Sequence, residues 1–454
     1  MKREAYLLLI VFMLCGNIIY AQQKKRITIA EILSIALDKS YRINEQKLNL
    51  ENSVQVKREA LSSGLPQLKG YVDYKNYIDK PTILLPGMLT GDPSAPDIMT
   101  SFSKKHNLDY GIEASQLLFS LEYIYGVKTA DKGSELVDLG LELTEMDLVH
   151  QVYLEYYNLL AIYKNLEIIR NNMNSLMQVR DKTDALCKAD LALSTDLDRI
   201  DINISNLKAN ERQVDNAIAI QTNNLKLISG IDQNIKWVVD TTGVSEMFSK
   251  ILPSHNRIDS VNFNNRLELQ MLDKQIELND LQIKSAKGAL APNIGAYATY
   301  FKQYFKDELK PFKSGDDWFR ASLIGVKMNI PIFSGFKSRA KIAQAKIEKE
   351  ITKNKREEAL HGLAIERMNV LNNYTVNLDN CANQQKSIEL AEKVRRQEEL
   401  KYKEGLSSLT DLLVSESELR SAEINYVKYV LQVRISELDL LKSEGKLSQL
   451  KNNL

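Results

Sequence analysis

The sequence predicts a mainly α-helical protein in which two long helical hairpins alternate with four β-strands of a membrane β-barrel. Long charged stretches without proline carry apolar residues at alternating three- and four-residue spacing, which is typical of coiled-coil helices. Four short segments instead alternate apolar and polar residues, as strands do. The same order of segments occurs twice along the chain, which indicates a tandem duplication.

Composition and motifs exclude several classes of protein. The 454 residues have a formal net charge of +1, so the chain offers no electrostatic basis for binding nucleic acid. No nucleophile–base set or phosphate-binding loop occurs, and the four histidines lack the spacing of metal ligands. We therefore expect a protein that is not an enzyme and that has no cofactor and no metal site.

The N-terminus has the features of a signal peptide. Lys2 and Arg3 precede an apolar run that ends at Cys15, and Ala21 offers a cleavage site. The predicted signal peptide is residues 1–21, and its apolar core is too short to span a membrane as a mature helix. Cys15 lacks the small preceding residue expected beside a lipidated cysteine.

The first structural repeat is predicted at residues 22–230. A helix opens it, because Thr28 and Glu31 form a capping box that satisfies the first free amides. This helix ends before Pro66, where the apolar period changes. The rest of the repeat consists of strands at 67–78 and 107–119 and a long hairpin with its tip at 189–196.

The second structural repeat, residues 261–446, has the same order of segments. Residues 231–260 break the helical periodicity and are predicted to link the two repeats. A helix that ends before Pro292 opens the second repeat. The remaining segments are strands at 293–304 and 319–331, a long hairpin with its tip at 404–411, and a C-terminal tail at 447–454.

The hairpin tips show the duplication most clearly. At a constant offset, four residues of the first tip recur in the second: Leu191 as Leu406, Thr195 as Thr410, Asp196 as Asp411 and Leu197 as Leu412. Gly405 stands between two long helical stretches, and glycine accepts the left-handed conformation that ends a helix. Each tip is therefore predicted to reverse the chain direction.

The four strands cannot close a barrel within one chain. An open edge in lipid would leave backbone groups unpaired, so several copies must contribute strands to one barrel. The loops at residues 81–96 and 306–318 join strands to strands, whereas the other strand ends continue into helices. We expect these loops to face the cell exterior, where the longer loops of such barrels lie.

On these features the chain resembles the TolC-type outer-membrane factors, a family of outer membrane efflux proteins. The resemblance rests on segments 27–37, 65–66, 116–119, 291–292, 331–335 and 405–413, in this order. It implies a homotrimer with one shared twelve-stranded barrel in the outer membrane lipid of a Gram-negative bacterium and a helical tunnel in the periplasm. It also implies a passive duct for efflux or type I secretion that works with a periplasmic adaptor and an inner-membrane pump of the RND or ABC type.

The resemblance assigns adaptor docking to the two tips, at Asp190, Leu191, Gly405 and Leu406. The family has a short apolar–Gly–apolar turn there. Gly405 keeps this turn, whereas Asp190 stands where the glycine is expected. Because Asp tolerates the left-handed conformation better than most residues, we expect the first turn to keep its fold.

The resemblance also assigns a gate at the periplasmic entrance to Thr195, Asp196, Tyr402 and Asp411. In the family a Tyr–Asp tie between neighbouring hairpins holds the tips closed, and a ring of aspartates narrows the pore. Ser407 replaces the family's tip arginine, and Val414 replaces a second ring carboxylate. We therefore expect closure to rest on Tyr402 with Asp196, although Asp196 and Asp411 could equally serve as helix caps.

Two other classes of protein share some of these features. A periplasmic adaptor would have a single hairpin flanked by β-domains rich in glycine and valine. A structural coiled-coil protein would lack both the signal peptide and the amphipathic strands. The residues leave open whether the cargo is a drug, a metal ion or a polypeptide.

Overall fold

The computed structural model describes residues 25–91, 96–235, 237–249, 262–309 and 318–452. The predicted signal peptide with Cys15, parts of both strand-connecting loops and much of the predicted linker lie outside these residues. Within the described residues the protein is mainly helical with a small number of strands, as predicted.

The described part of the chain contains nine α-helices, of which two have 68 and 67 residues. They are α1 (Ile29–Lys39), α2 (Tyr41–Ser62), α3 (Leu121–Lys188), α4 (Ser194–Ser229), α5 (Thr242–Ser249), α6 (Leu267–Gly288), α7 (Lys337–Lys403), α8 (Leu409–Ser443) and α9 (Ser448–Asn452). No described helix has an apolar stretch long enough to cross a membrane.

The strands form one four-stranded sheet and two short pairs. They are β1 (Lys25–Ile27), β2 (Gln67–Asn76), β3 (Ile83–Leu85), β4 (Ile98–Thr100), β5 (His106–Phe119), β6 (Trp237–Val239), β7 (Asn293–Lys306) and β8 (Trp318–Asn329). β1 pairs parallel with β6, and β3 pairs antiparallel with β4. These two pairs are additions to the four strands that the alternation predicts.

The four-stranded sheet is antiparallel and has the order β2–β5–β7–β8. Its central pairing joins the two predicted repeats, because β5 lies in the predicted first repeat and β7 in the predicted second. The register of this pairing places Ile112 opposite Tyr300. Strands β2 and β8 are the edges, and neither has a second partner strand among the described residues of the single chain.

The two faces of this sheet differ in chemistry. Paired residues share a face, and successive residues alternate between faces. We define the apolar face by five residues that the register places on one side: Leu68, Val72, Ile112, Ile324 and Val326. Ile324 is 89% exposed and Val326 is 68% exposed in the single chain. The opposite, mixed face carries every acidic residue of the four strands: Asp73, Asp109 and Glu113.

The chain divides into two compact units, each with residues from both repeats. The helical unit comprises the described parts of Met1–Asn49, Asp138–Met271 and Arg356–Leu454. The sheet unit comprises the described parts of Leu50–Val137 and Leu272–Lys355. The core of the helical unit is an apolar cluster to which α1, α3, α4, α8 and the β1–β6 pair contribute fully buried residues, including Leu33, Leu148, Leu225 and Val430.

The helix that opens the first repeat is divided in the structure, whereas the apolar pattern predicts one continuous helix. α1 and α2 are separated at Ser40, which is buried and donates its N–H to the carbonyl oxygen of Ala36. Gly230, with a φ of +67°, lies against the backbone of Lys39 so closely that a Cβ would collide with it. The break thus accompanies a close approach between the ends of α1 and α4.

Candidate functional site at the hairpin tips

The two tips reverse the chain by the same backbone turn. After α3, Asp190 has a φ of 57°, and the N–H of Leu191 donates to the carbonyl oxygen of Leu186 at 2.9 Å. After α7, Gly405 has a φ of 74°, and the N–H of Leu406 donates to the carbonyl oxygen of Lys401 at 2.8 Å. These six-to-one bonds satisfy the last helical carbonyls as in a Schellman motif. The left-handed position is therefore filled by Asp in one tip and Gly in the other.

The residue after each left-handed position is an exposed leucine. Leu191 and Leu406 are both 74% exposed in the single chain. A leucine held this far out of the core by a rigid turn gains nothing from burial in its own chain. Both side chains are therefore available for contact with another molecule.

Asp411 lies in the first turn of α8, where it completes a capping box with Ser408. The Ser408 hydroxyl accepts from the N–H of Asp411, and the Asp411 carboxylate accepts from the N–H of Ser408 at 3.3 Å. The Ser408 hydroxyl also donates to this carboxylate at 2.7 Å. These hydrogen bonds lower the pKa of the Asp411 carboxyl below its ordinary value of 3.8. The N-cap position itself belongs to Ser408, so the N-cap role proposed for Asp411 is wrong, and Asp411 contributes to the cap as the third residue of the helix.

Asp196 occupies the equivalent place in the first turn of α4 without a capping box. Leu193 precedes this helix and makes no side-chain cap bond. Among the described residues of the single chain, the Asp196 carboxylate has no hydrogen-bond or ion-pair partner, and the adjacent Thr195 is exposed. The N-cap role considered for Asp196 is therefore wrong, because that position belongs to Leu193.

Tyr402 bonds within the chain to Thr183, a residue outside the motifs of the tips. Its hydroxyl lies 3.0 Å from the Thr183 Oγ1 on α3, and Thr183 is fully buried. Asp196 and Tyr402 are not hydrogen-bonded to each other in the single chain. A second bond between the hairpins runs from the Arg199 guanidinium to the Thr410 hydroxyl at 2.9 Å.

An apolar cluster holds the four helices of the tips together. It contains buried leucine, isoleucine and valine side chains from α3, α4 and α8, and Tyr402 of α7 packs against it. Leu412 and Ile200 within it are fully buried. The gate candidates Asp196 and Asp411 therefore lie on the first turns of helices whose adjoining residues are firmly packed.

A buried polar cluster outside the sequence motifs joins three helices near the tips. Glu416 on α8 is 3% exposed, and its carboxylate accepts from Asn172 at 3.0 Å and from Ser175 at 3.0 Å on α3. It also pairs with the Arg395 guanidinium of α7 at 3.2 Å. Arg420 donates to the side-chain oxygen of Asn172 at 3.0 Å. A polar residue within an otherwise apolar helical seam is the sequence signal that could have indicated Glu416.

The described residues contain no group of three or more histidine, cysteine, aspartate or glutamate side chains that could hold a metal ion. The chemistry of the tips is instead that of hydrogen-bonded hydroxyl and carboxylate groups above an apolar cluster. Because Asp196 and Asp411 lie on the first turns of packed helices, a change in the charge or the hydrogen bonding of either carboxylate can alter how these helices pack.

Comparison with known proteins supports the resemblance seen in the sequence. The outer membrane efflux protein family matches residues 262–446. No curated protein matches the chain.

Several solved structures share the fold. The outer membrane protein VceC from Vibrio cholerae has a TM-score of 0.68 at 14% identity, covering 92% of this chain and 96% of VceC. CusC has a TM-score of 0.71 at 15% identity, covering 92% and 91%. The MtrE outer membrane channel from Neisseria gonorrhoeae has a TM-score of 0.66 at 17% identity, covering 92% and 89%.

Identities this low show a shared fold, and the family match adds sequence evidence for the second half of the chain. The resemblance to the TolC-type outer-membrane factors is therefore confirmed: this chain carries the outer membrane efflux protein pattern at residues 262–446 and has the fold of outer-membrane channels.

Proposed function

We propose that this protein is a trimeric channel-tunnel of the outer membrane that serves as the passive exit duct of a tripartite efflux or type I secretion system. The observation that carries the proposal is the four-stranded sheet with two open edges and an exposed apolar face. In water such a face would promote aggregation, and in lipid the open edges would each leave a row of backbone groups unpaired.

Trimerisation would pair the open strand edges and place the exposed apolar face against lipid. If β8 of each copy pairs with β2 of the next, the edges disappear and three chains contribute twelve strands to one barrel. A barrel of twelve strands is wider than the eight-stranded barrels that side chains fill, so it leaves an open lumen. The apolar face then contacts lipid, and the mixed face with Asp73, Asp109 and Glu113 lines the lumen.

The two structural repeats, at residues 22–230 and 261–446 with a linker between them, supply equivalent parts of this assembly. Each contributes two strands to the barrel and one long hairpin to a periplasmic tunnel. The cleaved signal peptide at residues 1–21 would direct export. A homotrimer built this way contains six hairpin tips around one entrance.

The gate acts between hairpins of the assembled tunnel. Asp196, whose carboxylate has no partner within the described single chain, is placed to accept a hydrogen bond from Tyr402 of a neighbouring hairpin in the closed state. Three Asp411 carboxylates near the threefold axis narrow the entrance and favour cations. Thr195 lies next to Asp196 on the same helical turn and belongs to the same contact.

The docking partners are a periplasmic adaptor at the tips and, through it, an inner-membrane pump of the RND or ABC type. Leu191 and Leu406, together with the turns at Asp190 and Gly405, form the docking surface. Exposed leucines on rigid turns suit insertion into apolar grooves of a helical partner. The pump then decides whether the cargo is a drug, a metal ion or a polypeptide.

The mass and heat stability of the membrane-extracted protein test the proposal. We expect a detergent-solubilised particle with the mass of three chains, which migrates as a trimer on a gel unless it is heated. Recovery of a monomer from the membrane, or of the protein in the soluble periplasmic fraction, would contradict the proposed function.

A further inference from the structure

The apolar face of the sheet carries two cations directly opposite each other. Lys302 on β7 and Arg320 on β8 are paired in the register, so their side chains leave the same face of the sheet. Directly opposed residues of an antiparallel pair have Cβ atoms about 5 Å apart, and like charges at this distance destabilise the sheet. The pair therefore favours an anion between or above the two side chains.

No carboxylate of the sheet can supply this anion. The three acidic residues of the four strands, Asp73, Asp109 and Glu113, all lie on the mixed face. Among the described residues, neither Lys302 nor Arg320 has an ion-pair partner. The other edge strand, β2, carries only uncharged residues on the apolar face, so a neighbouring copy paired at β8 brings no carboxylate to this face.

Aromatic residues surround the pair. Tyr110 is opposite Lys302 in the register with β5, and Tyr304 and Trp318 lie in the next cross-strand row. The Trp318 ring is 5.0 Å from the Tyr110 ring and 5.6 Å from the Tyr304 ring, measured between centroids. Tyrosine and tryptophan mark the level at which a membrane protein meets the lipid headgroups.

The height of the pair along the strands agrees with a headgroup position. Lys302 lies nine residues beyond Asn293, the first residue of β7, which follows helix α6. Nine residues span about 31 Å along the strand, or about 23 Å along the barrel axis at a tilt of about 40°. The apolar band of such barrels is about 25 Å tall, so the pair lies close to its outer boundary.

We propose that Lys302 and Arg320 form a binding site for the phosphate of an outer-leaflet lipid headgroup. This inference rests on the proposed function, which places the apolar face in the membrane with its loop end outside. A phosphate provides acceptors for the guanidinium and the ammonium group together, and the acyl chains of the same lipid cover Ile324 and Val326 nearer the middle of the membrane.

Native mass spectrometry of the full-length trimer with defined lipids tests the site. The probes are bisphosphorylated lipid A and the same lipid after removal of both phosphates. We expect the wild-type trimer to bind the phosphorylated lipid roughly ten- to a hundredfold more tightly, as two charge-assisted contacts imply. Equal binding of the two lipids by the wild-type trimer would overturn the inference.

Two double variants, each of which removes two cations from one face of the sheet, test which face provides the preference for the phosphorylated lipid. Lys302→Gln with Arg320→Gln should abolish the preference for phosphate. Lys69→Gln with Lys327→Gln removes two cations from the mixed face of the same sheet and should retain the preference. A preference that survives the first double change would overturn the assignment.

Two further experiments test whether the bound phosphate belongs to a lipid headgroup and whether the variants still fold. Exchange of the two cations, Lys302→Arg with Arg320→Lys, keeps both charges and should keep the preference. Displacement of the lipid by an equal concentration of inorganic phosphate would assign the pair to a free anion and overturn the lipid site. A monomeric mass would contradict the proposed function itself, whereas a trimer without phosphate preference contradicts only this inference.

Discussion

In the proposed gate, the Asp411 carboxylate has two roles, one in capping α8 and one at the pore entrance. Its capping box with Ser408 fixes the start of α8 just after the second turn. The same hydrogen bonds lower the pKa of the carboxyl and so keep it ionised. A charged group held at a fixed place on the first turn of a helix is what a selective ring requires.

The Asp411→Ala variant should weaken both cation selectivity and block by multivalent cations in planar bilayers. Asp411→Asn removes the charge but keeps an oxygen that can accept from Ser408, so it separates selectivity from capping. We expect selectivity to fall in both variants, and the melting temperature to fall in the alanine variant alone, because only that variant loses the acceptor of the capping box. Unchanged selectivity in both would leave Asp411 with the capping role only.

The selectivity should also have a defined pH dependence. Because the pKa of Asp411 is lowered, the carboxyl is charged at every pH above the ordinary pKa of 3.8. The charge is lost only as the pH falls through the lowered pKa. In the proposed ring the three carboxylates repel one another, which raises their pKa, and the capping hydrogen bonds oppose this rise. Bilayer recordings should therefore show constant selectivity from about pH 7 to about pH 5.

Tyr402 can bond to Thr183 within its chain or, in the proposed gate, to Asp196 of a neighbouring hairpin. A hydrogen bond between a tyrosine and a carboxylate contributes about 1.5–3 kcal/mol, which shifts a two-state gate roughly ten- to a hundredfold. Tyr402→Phe with Asp196→Ala should therefore raise the resting conductance.

Thr183→Val is the matched control, since it removes the partner of Tyr402 within the chain and keeps the volume of the side chain. If the control raises conductance as much as the double change does, the intrachain bond and not the contact with Asp196 holds the gate. If neither change alters conductance, Tyr402 has only a packing role.

At the scale of elements, the two turns have the same geometry and differ in one residue. Gly405 and Asp190 both occupy the left-handed region, and the leucine after each is exposed to the same extent. Substitution of Gly405 would add backbone strain to any loss of contact. The leucines are therefore the cleaner positions for testing adaptor docking.

Leu191→Glu and Leu406→Glu should each reduce export while leaving the trimer intact. The physical reason is that a charged side chain cannot enter an apolar groove of the adaptor without a desolvation cost. Export assays in cells, with trimer content measured on unheated gels, check this expectation. Normal export by both variants and by their combination would remove the tips from the docking surface.

The polar cluster around Glu416 ties α3, α7 and α8 together near the tips. Glu416→Ala should lower the unfolding free energy of the helical unit by about 3 kcal/mol, because it leaves buried Asn172 and the Arg395 guanidinium without their acceptor. Thermal unfolding followed by circular dichroism measures the change. Glu418→Ala on the exposed side of the same helix is the control, and an equal effect of both changes would contradict the assigned role of the cluster.

At the scale of the whole molecule, the loop end of the sheet is held together by ion pairs around Asp307. Its carboxylate pairs with Lys80 at 2.5 Å and with Lys104 at 3.1 Å, and it accepts from the N–H of Lys105 at 3.1 Å. These contacts lower the pKa of Asp307 and connect the β2–β5 loop to the end of β7. Both strand-connecting loops therefore begin on the same side of the sheet.

An epitope inserted after Gly91 should be accessible to antibody on intact cells. Gly91 has a φ of 97°, and a Cβ added to it would meet no atom within 4 Å, so the surrounding space is open and the site tolerates insertion. The same epitope inserted after Leu191 should bind antibody only after the outer membrane is permeabilised. The reverse pattern would contradict the proposed orientation.

The features of the fold and of the tips that could be predicted are those set by residues close together in the sequence. The capping box of Thr28 and Glu31, the left-handed Gly405 and the strand alternation each depend on residues a few positions apart. The break at Ser40 and the bond from Tyr402 to Thr183 depend instead on neighbours supplied by distant segments. Asp196 and Tyr402 could be named from a motif, but Thr183 as the partner of Tyr402 within the chain could not.

By itself, the sequence determined the helical hairpins, the amphipathic strands, their duplication and the family that these features resemble. The spacing of apolar residues is enough to predict these features. Side chains on the buried face of a helix or a strand recur every few residues, so that face appears in the sequence as a regular apolar pattern. Only the tertiary structure decided that β5 pairs with β7 across the repeats, that Glu416 is buried among polar partners and that Lys302 faces Arg320. These depend on registers and packing between residues far apart in the chain, where many alternatives satisfy the same local pattern and the best-packed one prevails.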